Sequence, residues 1–557
     1  MTSEAKKRRR PADVLNRRSW DLLLGRWIFP ALLLCWCAAA SGEDTFISAR
    51  LREIAQGVDS AIDGKQLSSS ELLDGFYARS NNATVWVQSG KVTAHGRALV
   101  GVLGGAQEHG LDTRDYHLPT ISARIAEGRI AEAKRGAELD LLLTDGALTY
   151  ARHLTRGKVQ PEQLYDSWKA RPREQDVAAI VWRARSGDAR ALDPAYRSLA
   201  PWDPRYQQLK VLLRELRNSI GLPLPRLPPI LLRLDGHSAE VSLLRKRLAA
   251  WRGDKPEVDP SQIFDIALEA RVKQFQLRHG LEPDGVVGER TRKWLNKTYA
   301  ERMRQVRVNL ERWRWMPADL GSRRIEVNIA GFRVDVMEAD RKVLSMRAIV
   351  GKPYHKTPVF SDRVAYLVLN PSWNVPWSIA VNEILPTLQQ DPSYLREKNM
   401  RVLSGWGHDA EIVDSRGIDW GTLTKKNFRY RFQQLPGDTN ALGRMKFMFP
   451  NEFDVYLHDT PARSLFTSQS RGFSHGCVRL EKPMDLADYL LRGDERWTRE
   501  RVLAVLASGQ ETEVPVRDRL PVHIMYWTVW IDGAGLPHFR NDIYDRDEPL
   551  ALALIDD

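Results

Sequence analysis

The feature that most restricts what this chain can fold into is a change of hydrophobic period. Up to about residue 300 apolar residues recur at three- and four-residue steps, the spacing of one helix face. From about residue 301 they alternate, the spacing of a half-buried strand. Leu139, Leu143, Ala147, Tyr150 and Leu154 carry the first pattern, with Gly157 where a helix should stop. Ile325, Val327 and Ile329, then Phe332, Val334 and Val336, carry the second across Gly331, and Leu344, Met346, Ala348 and Val350 extend it. Val522, Ile524, Tyr526, Thr528 and Trp530 read as a late strand turned by Asp532-Gly533. One layered core cannot serve both periods, so the expected fold class is multidomain α+β. At 557 residues the chain also exceeds a single core, and length alone suggests about three or four domains.

Proline marks the first internal boundary. Leu222-Pro223-Leu224-Pro225 and Leu227-Pro228-Pro229 make a stiff connector poor in amide donors, which places a boundary near residue 235. Residues 238 to about 297 then read as a compact helical unit. Val241, Leu244 and Leu248 give one apolar face, Leu268, Val272 and Phe275 another, and Asp284-Gly285 turns the chain. Within the strand-rich part, alternation is interrupted from Glu383 to about Pro436, with Asp391-Pro392, Trp406-Gly407 and Trp420 in the gap. Such a length is too long for an ordinary loop and marks a lid or binding element. Its aromatics either pack a small core of their own or meet substrate.

The N-terminus speaks to compartment. Lys6-Lys7-Arg8-Arg9-Arg10, with Arg17 and Arg18, precedes an apolar run from Trp27 to Ala40 and a small-residue exit reaching Gly42. That is the order of a secretory signal, and the run is short of the roughly 20 apolar residues a membrane span needs. Residues 1–42 are therefore expected to be a signal peptide cut after Ala40 or Gly42, with a retained signal-anchor as the second reading. The net charge of +12 suits an anionic lipid or polymer, and no zinc-finger, P-loop or RNA-motif spacing supports nucleic acid. Of three cysteines, Cys35 and Cys37 fall in the signal, leaving Cys477 alone in an exported chain. Exported proteins use cysteine mainly in disulfide pairs, so a lone thiol is a liability or a reactive tool.

Its neighbourhood favours the tool. Phe453, Val455 and Leu457 alternate with polar residues and deliver His458 at a strand end, and Ser474-His475-Gly476-Cys477-Val478-Arg479 follows. A thiolate nucleophile needs an imidazole within reach, a small neighbour and amide donors for a developing oxyanion. His458, His475 and Gly476 beside Cys477 supply these. His109 and His153 share no metal-ligand spacing, and neither a metal nor an organic cofactor is indicated.

The block from His458 to Arg479 resembles the signature of the L,D-transpeptidases, whose YkuD-type catalytic domain places Ser/Thr-His-Gly-Cys, an apolar residue and Arg or Asn after a His. Residues 43–235 resemble the helical scaffold domain of the large Gram-negative members. Phe275-Gln276, His279-Gly280-Leu281, Asp284-Gly285 and Leu295-Asn296 make 236–300 similar to a three-helix peptidoglycan-binding domain. The resemblance implies a sandwich-like β-rich catalytic domain over 301–557, with 383–436 as its inserted lid, acting in the periplasm, and possession of a signal-anchor would tether it to the inner membrane. It implies Cys477 as nucleophile and His458 as base, its ring oriented by the Asp459 carbonyl, with the Gly476 and Cys477 amides as oxyanion donors. His475 orients substrate or shapes the loop, Ser474 supports the site or binds substrate, Arg479 holds a substrate carboxylate or makes a structural salt bridge, and Tyr456 and Trp373 wall the pocket. The implied partners are peptidoglycan stem peptides and glycan, and the implied reaction is 3→3 cross-linking through a thioester. A carboxypeptidase or amidase with the same nucleophile and a non-catalytic wall-binding scaffold are the competing readings.

Overall fold

The computed structural model describes residues 41–557 except 59–60, 129, 170–172, 252–260, 408 and 556–557. The expected signal, with Cys35 and Cys37, lies outside the described residues save for its last two positions, which begin a capped helix, Gly42–Ala55.

The N-terminal region is helical. Its centre is α1 (Ala133–Arg156), which stops at Gly157 because the chain there takes φ +90 and a Cβ would strike Glu311 and Trp315. Two carboxylates on α1 are fully buried, Asp140 and Asp145. Asp140 accepts the amides of Val85 (2.9 Å), Trp86 (2.6 Å) and Val87 (2.8 Å) and the Tyr77 hydroxyl (2.6 Å). Asp145 accepts the Ser69 amide at 2.6 Å and faces His117 Nε2 at 2.7 Å. Without these partners each buried charge would cost several kcal/mol. His109 and His153 are likewise hydrogen-bonded, to Tyr206 and Tyr116.

Three helices follow the proline connector: α2 (Glu240–Ala250), α3 (Ile266–Arg278) and α4 (Glu289–Leu295). The expected faces of α2 and α3 are buried in one cluster. Gln276 fixes the Asp284-Gly285 turn, accepting the Gly285 amide at 2.9 Å and donating to Asp284 at 2.7 Å, with Gly285 at φ +77.

The alternating period does not begin at residue 301 as expected. A further helix, α5 (Tyr299–Arg314), occupies that stretch. Arg302, Arg312 and Arg314 are buried among Val306, Val308 and Leu310, which blurs its hydrophobicity pattern. Arg302 lies over Trp251 (3.3 Å) and Phe539 (4.6 Å), Arg312 pairs with Asp547 at 2.7 Å, and Arg314 pairs with Glu311 at 2.5 Å. These partners come from the three-helix unit, the C-terminus and α5 itself, so α5 is the junction on which the regions pack.

The strands then run β1 (Arg323–Asn328), β2 (Arg333–Glu338), β3 (Arg341–Gly351), β4 (Phe360–Arg363), β5 (Tyr366–Leu369), β6 (Met445–Met448), β7 (Leu457–His458), β8 (Gly472–Ser474), β9 (Val478–Leu480), β10 (Thr512–Pro515) and β11 (Pro521–Met525). They form one sheet in the order β10-β5-β6-β7-β9-β3-β2-β1-β11-β4, with β8 added beside β3. Val364 and Ala365 carry β4 straight into β5 and extend the pairings on both sides: Val364 donates to the Leu520 carbonyl before β11 (2.9 Å), and Val516 after β10 donates to that of Ala365 (3.0 Å). The expected sandwich is thus one curled sheet over a single core that joins Ile325, Val334, Leu367, Phe447, Leu457 and Val478. The late strand divides, because β11 ends at Met525 and Val529–Ile531 pairs instead with Pro537–Phe539 in a separate hairpin against the helical core.

Between β5 and β6 the chain leaves the sheet. Trp373–Asn374, Arg431–Gln434, Met400–Leu403 and Ile412–Val413 form a second sheet in that order, over a separate core that includes Val381, Leu388, Phe428 and Phe432. This unit is entered at Trp373, before Glu383. Asn440 pins its two connections together, donating to the carbonyls of Pro371 (3.0 Å) and Leu435 (2.9 Å).

Candidate active site

Two short parallel strands build the site. Leu457 pairs with Val478 and His458 with Arg479, and the Val478 amide donates to the Tyr456 carbonyl at 3.1 Å, which carries the pairing outward to Tyr456 beside Cys477. Side chains alternate across a strand, so burying Leu457, Val478 and Leu480 in the core puts Tyr456, His458, Cys477 and Arg479 together on the opposite face. Cys477 and His458 are diagonal neighbours there, with about 7–8 Å expected between Cα positions of this kind and less between their side chains.

The imidazole is set by its backbone. His458 Nδ1 is 2.6 Å from the Asp459 carbonyl, which assigns the ring proton to Nδ1 and leaves Nε2 the unprotonated nitrogen. Burial, with the Arg479 charge beside it, lowers the His458 pKa to about 3, so the ring is neutral. The Asp459 carboxylate serves elsewhere, accepting the Arg444 amide at 2.9 Å. The Cys477 thiol is half-buried and faces the Asp454 carbonyl at 3.9 Å. Burial raises its pKa, while hydrogen bonding from Tyr456 and the charges of Lys446 and Arg479 pull the other way. The resting pair is therefore thiol and neutral imidazole.

Ser474 ties the loop. Its hydroxyl donates to the Cys477 carbonyl at 2.5 Å and accepts the Gly476 amide at 3.2 Å. This corrects the expectation that the Gly476 amide is an oxyanion donor, because that hydrogen is already engaged. Among the described residues the Cys477 amide has no such partner. Gly476 is needed for conformation and not for room: its φ is +122, and a Cβ added there would lie 4.0 Å from the Lys356 carbonyl oxygen. Thr357 holds it from behind, donating to the Gly476 carbonyl at 2.7 Å and accepting the Gly351 amide at 2.9 Å.

His475 points to the insertion instead of the thiol. Its Nε2 lies 2.5 Å from Glu383 Oε1, and its ring lies 4.8 Å from that of His355. Arg479 makes no ion pair among the described residues, and its buried Nε has no hydrogen-bond partner. Nothing therefore supports the structural salt bridge. Trp373 packs in the insertion's own sheet, opposite Gln434, and no contact among the described residues brings it to Cys477.

Residues 322–506 match the family model described as L,D-transpeptidase catalytic domain, residues 237–295 that of a "putative peptidoglycan binding domain", and residues 71–213 that of a scaffold domain. A "putative L,D-transpeptidase" of Haemophilus influenzae is 38% identical over 231 residues, 42% of this chain and 46% of the relative, so the match spans about half that relative's length. An L,D-transpeptidase structure from Xylanimonas cellulosilytica is 14% identical, covering 54% of this chain and 98% of that one with a TM-score of 0.18. L,D-transpeptidase 1 of Mycobacterium tuberculosis is also 14% identical, covering 37% and 61% with a TM-score of 0.14. Scores of that size bear on neither fold nor site.

The matched region places beside these residues a lysine that the sequence did not single out. Lys446 pairs with His458 across β6 and β7, which puts it on the catalytic face, and its Nζ sits 3.9 Å from the Tyr456 ring centre. Strand alternation could have placed it on that face, but only the register puts it beside His458. Among the described residues no group of three His, Cys, Asp or Glu is arranged to hold a metal ion, and no helix is long and apolar enough to cross a membrane.

Proposed function

We propose that the chain is a cysteine-dependent murein L,D-transpeptidase that forms 3→3 cross-links. The observation that carries this reading is the shared face of Cys477 and His458 on adjacent strands, with Nδ1 held by the Asp459 carbonyl. Cys477 Sγ adds to the carbonyl carbon of the donor stem's diamino-acid L-centre while His458 Nε2 takes the thiol proton. The Cys477 amide donates to the oxyanion, an interaction worth about 3–4 kcal/mol in comparable sites. The tetrahedral species collapses, the bond to D-alanine breaks, and His458 returns its proton to the leaving amine. A side-chain amine of a second stem then attacks the thioester, gives its proton to His458, and releases the thiolate, which is reprotonated. Arg479, which makes no ion pair among the described residues, would hold a substrate carboxylate. Substrate of this kind lies outside the cytoplasmic membrane, where the expected signal would send the protein.

Mass analysis of muropeptides incubated with the protein tests the reading. New dimers that vanish with Cys477→Ala support it. Trimmed monomers alone would replace transferase by carboxypeptidase, and no conversion would leave a wall-binding scaffold.

A further inference from the structure

The three-helix unit and the catalytic sheet do not close on each other completely. Between them lies a cavity of about 570 Å³, walled by α4, by the loop after β1 and by residues 467–471. Its charge is lopsided: Arg290, Lys293, Arg347, Arg471 and Arg540 line it against the single acid Glu282.

Arg347 is neutralised by Glu481 at 2.5 Å, and Arg290 by nothing more than the amide oxygen of Gln469. Arg471 and Arg540 sit deeper. Arg471 donates only to the carbonyls of Ser468 (2.8 Å), Ala348 (3.2 Å) and Phe332 (3.2 Å), and Arg540 only to those of Arg278 and Phe539, both at 2.8 Å. Neither meets a carboxylate among the described residues. Desolvation and neighbouring guanidiniums lower Arg471 to about 10, against an opposing pull from Glu481, and lower Arg540 to about 9. Carbonyl partners position such groups without cancelling their charge, so an incoming anion is what would satisfy them.

We propose that this cavity is a second substrate site, one that binds the carboxylates of an acidic peptide. If the function proposed above holds, that peptide is a peptidoglycan stem. The loop that lines the cavity runs directly into β8, the strand before the Cys477 loop: Arg471 precedes β8, and its carbonyl accepts the Val350 amide at 2.9 Å. Cys477 lies six positions after Arg471, a span of at most about 20 Å of extended chain. A wall polymer held here by one stem keeps its other stems near the thiol, at the millimolar effective concentrations that short tethers give. The three-helix unit then serves as one wall of a peptide site shared with the catalytic domain.

The test uses full-length protein whose Cys477 has been alkylated with iodoacetamide, which closes the catalytic site whatever reaction it performs. Calorimetric titration follows with three probes: a disaccharide tetrapeptide, the free tetrapeptide, and a neutral N-acetylglucosamine oligomer. Both peptide probes should bind once per chain and weaken at least fivefold when salt is raised. Arg290→Glu with Lys293→Glu, both on the helix α4 that walls the cavity, should weaken them at least tenfold, as should Arg540→Gln. Peptide affinity unchanged in the charge-reversed protein, or no peptide binding at all, would overturn the proposal. Binding of the neutral oligomer with none for free peptide would also overturn it, by assigning recognition to the glycan. Because the readout needs no turnover, either result is distinguishable from failure of the transferase reading.

Discussion

The catalytic sheet and the unit inserted into it meet at one catalytic loop but are built on opposite plans. His458 and Cys477 project from strands whose other faces are locked into the main core by Leu457 and Val478, both without measurable exposure. The insertion has its own sheet and its own core, and it reaches the catalytic loop through the Glu383 contact with His475. A site that must position a thiol needs the first plan. An element that must admit a bulky acceptor and exclude water can use the second, since a separately folded unit can move without disturbing the core.

The largest expected effect breaks the comparison on the sheet side. Cys477→Ala should abolish acylation by a carbapenem-type β-lactam, read as loss of the covalent adduct in intact-protein mass spectrometry. An adduct that survives the substitution would place the nucleophile elsewhere. Next, His458→Ala should slow acylation by about 10²–10⁴, the usual cost of losing a general base. His475→Ala should cost less than about tenfold, because its ring faces Glu383 and not the thiol. A larger loss at His475 than at His458 would reverse the two roles.

These contrasts were only partly legible in the sequence. The Cys477 and His458 pair was, because a compact block of residues carries it, and so was the Asp459 carbonyl. The fate of the Gly476 amide was not, since it turns on a Ser474 rotamer. Lys446 was hidden because its importance comes from strand register, and Thr357 because it acts through Gly476 from a loop far away in sequence. At the level of fold, the helical period of α1 reads directly from Leu139 to Leu154. The helix α5 does not, because Arg302, Arg312 and Arg314, which a hydrophobicity pattern scores as solvent-facing, are buried among Val306, Val308 and Leu310. Their counter-charges and aromatic partners, Asp547 and Trp251 among them, are set by tertiary structure.

A deletion sharpens the comparison from the other side. Removal should run from Trp373 to Thr439, since excision from Glu383 to Pro436 would leave the strand at Trp373 without its partner Gln434. Pro371 and Asn440 are already in contact, so a short Gly-Ser link can join the ends. The trimmed protein should still fold, by circular dichroism, and still form the adduct at Cys477. On muropeptides its product ratio should move from dimer toward hydrolysed monomer by several-fold. A well-folded deletion with the full-length ratio would mean that the insertion does not gate water.

The smallest expected effect concerns charge beneath the thiol. Cys477 starts as a thiol because burial lifts its pKa, and His458, lowered to about 3, stays neutral across the working range. Lys446 and Arg479 oppose that lift by favouring the thiolate. Lys446 is itself lowered by burial, and its ammonium rests on the Tyr456 ring. Lys446→Met keeps the stem that packs there and removes the charge, so the thiol pKa should rise further. At a fixed pH below that pKa, alkylation by iodoacetamide should slow on the order of threefold to tenfold. Lys446→Arg should restore most of the rate, because it restores the charge. The sign follows from which form is stabilised: a nearby cation favours thiolate, so losing it moves the alkylation profile to higher pH. An unchanged midpoint in Lys446→Met would show that the thiol is governed by burial and Tyr456 alone, and that the cation on β6 serves only to pack the aromatic ring.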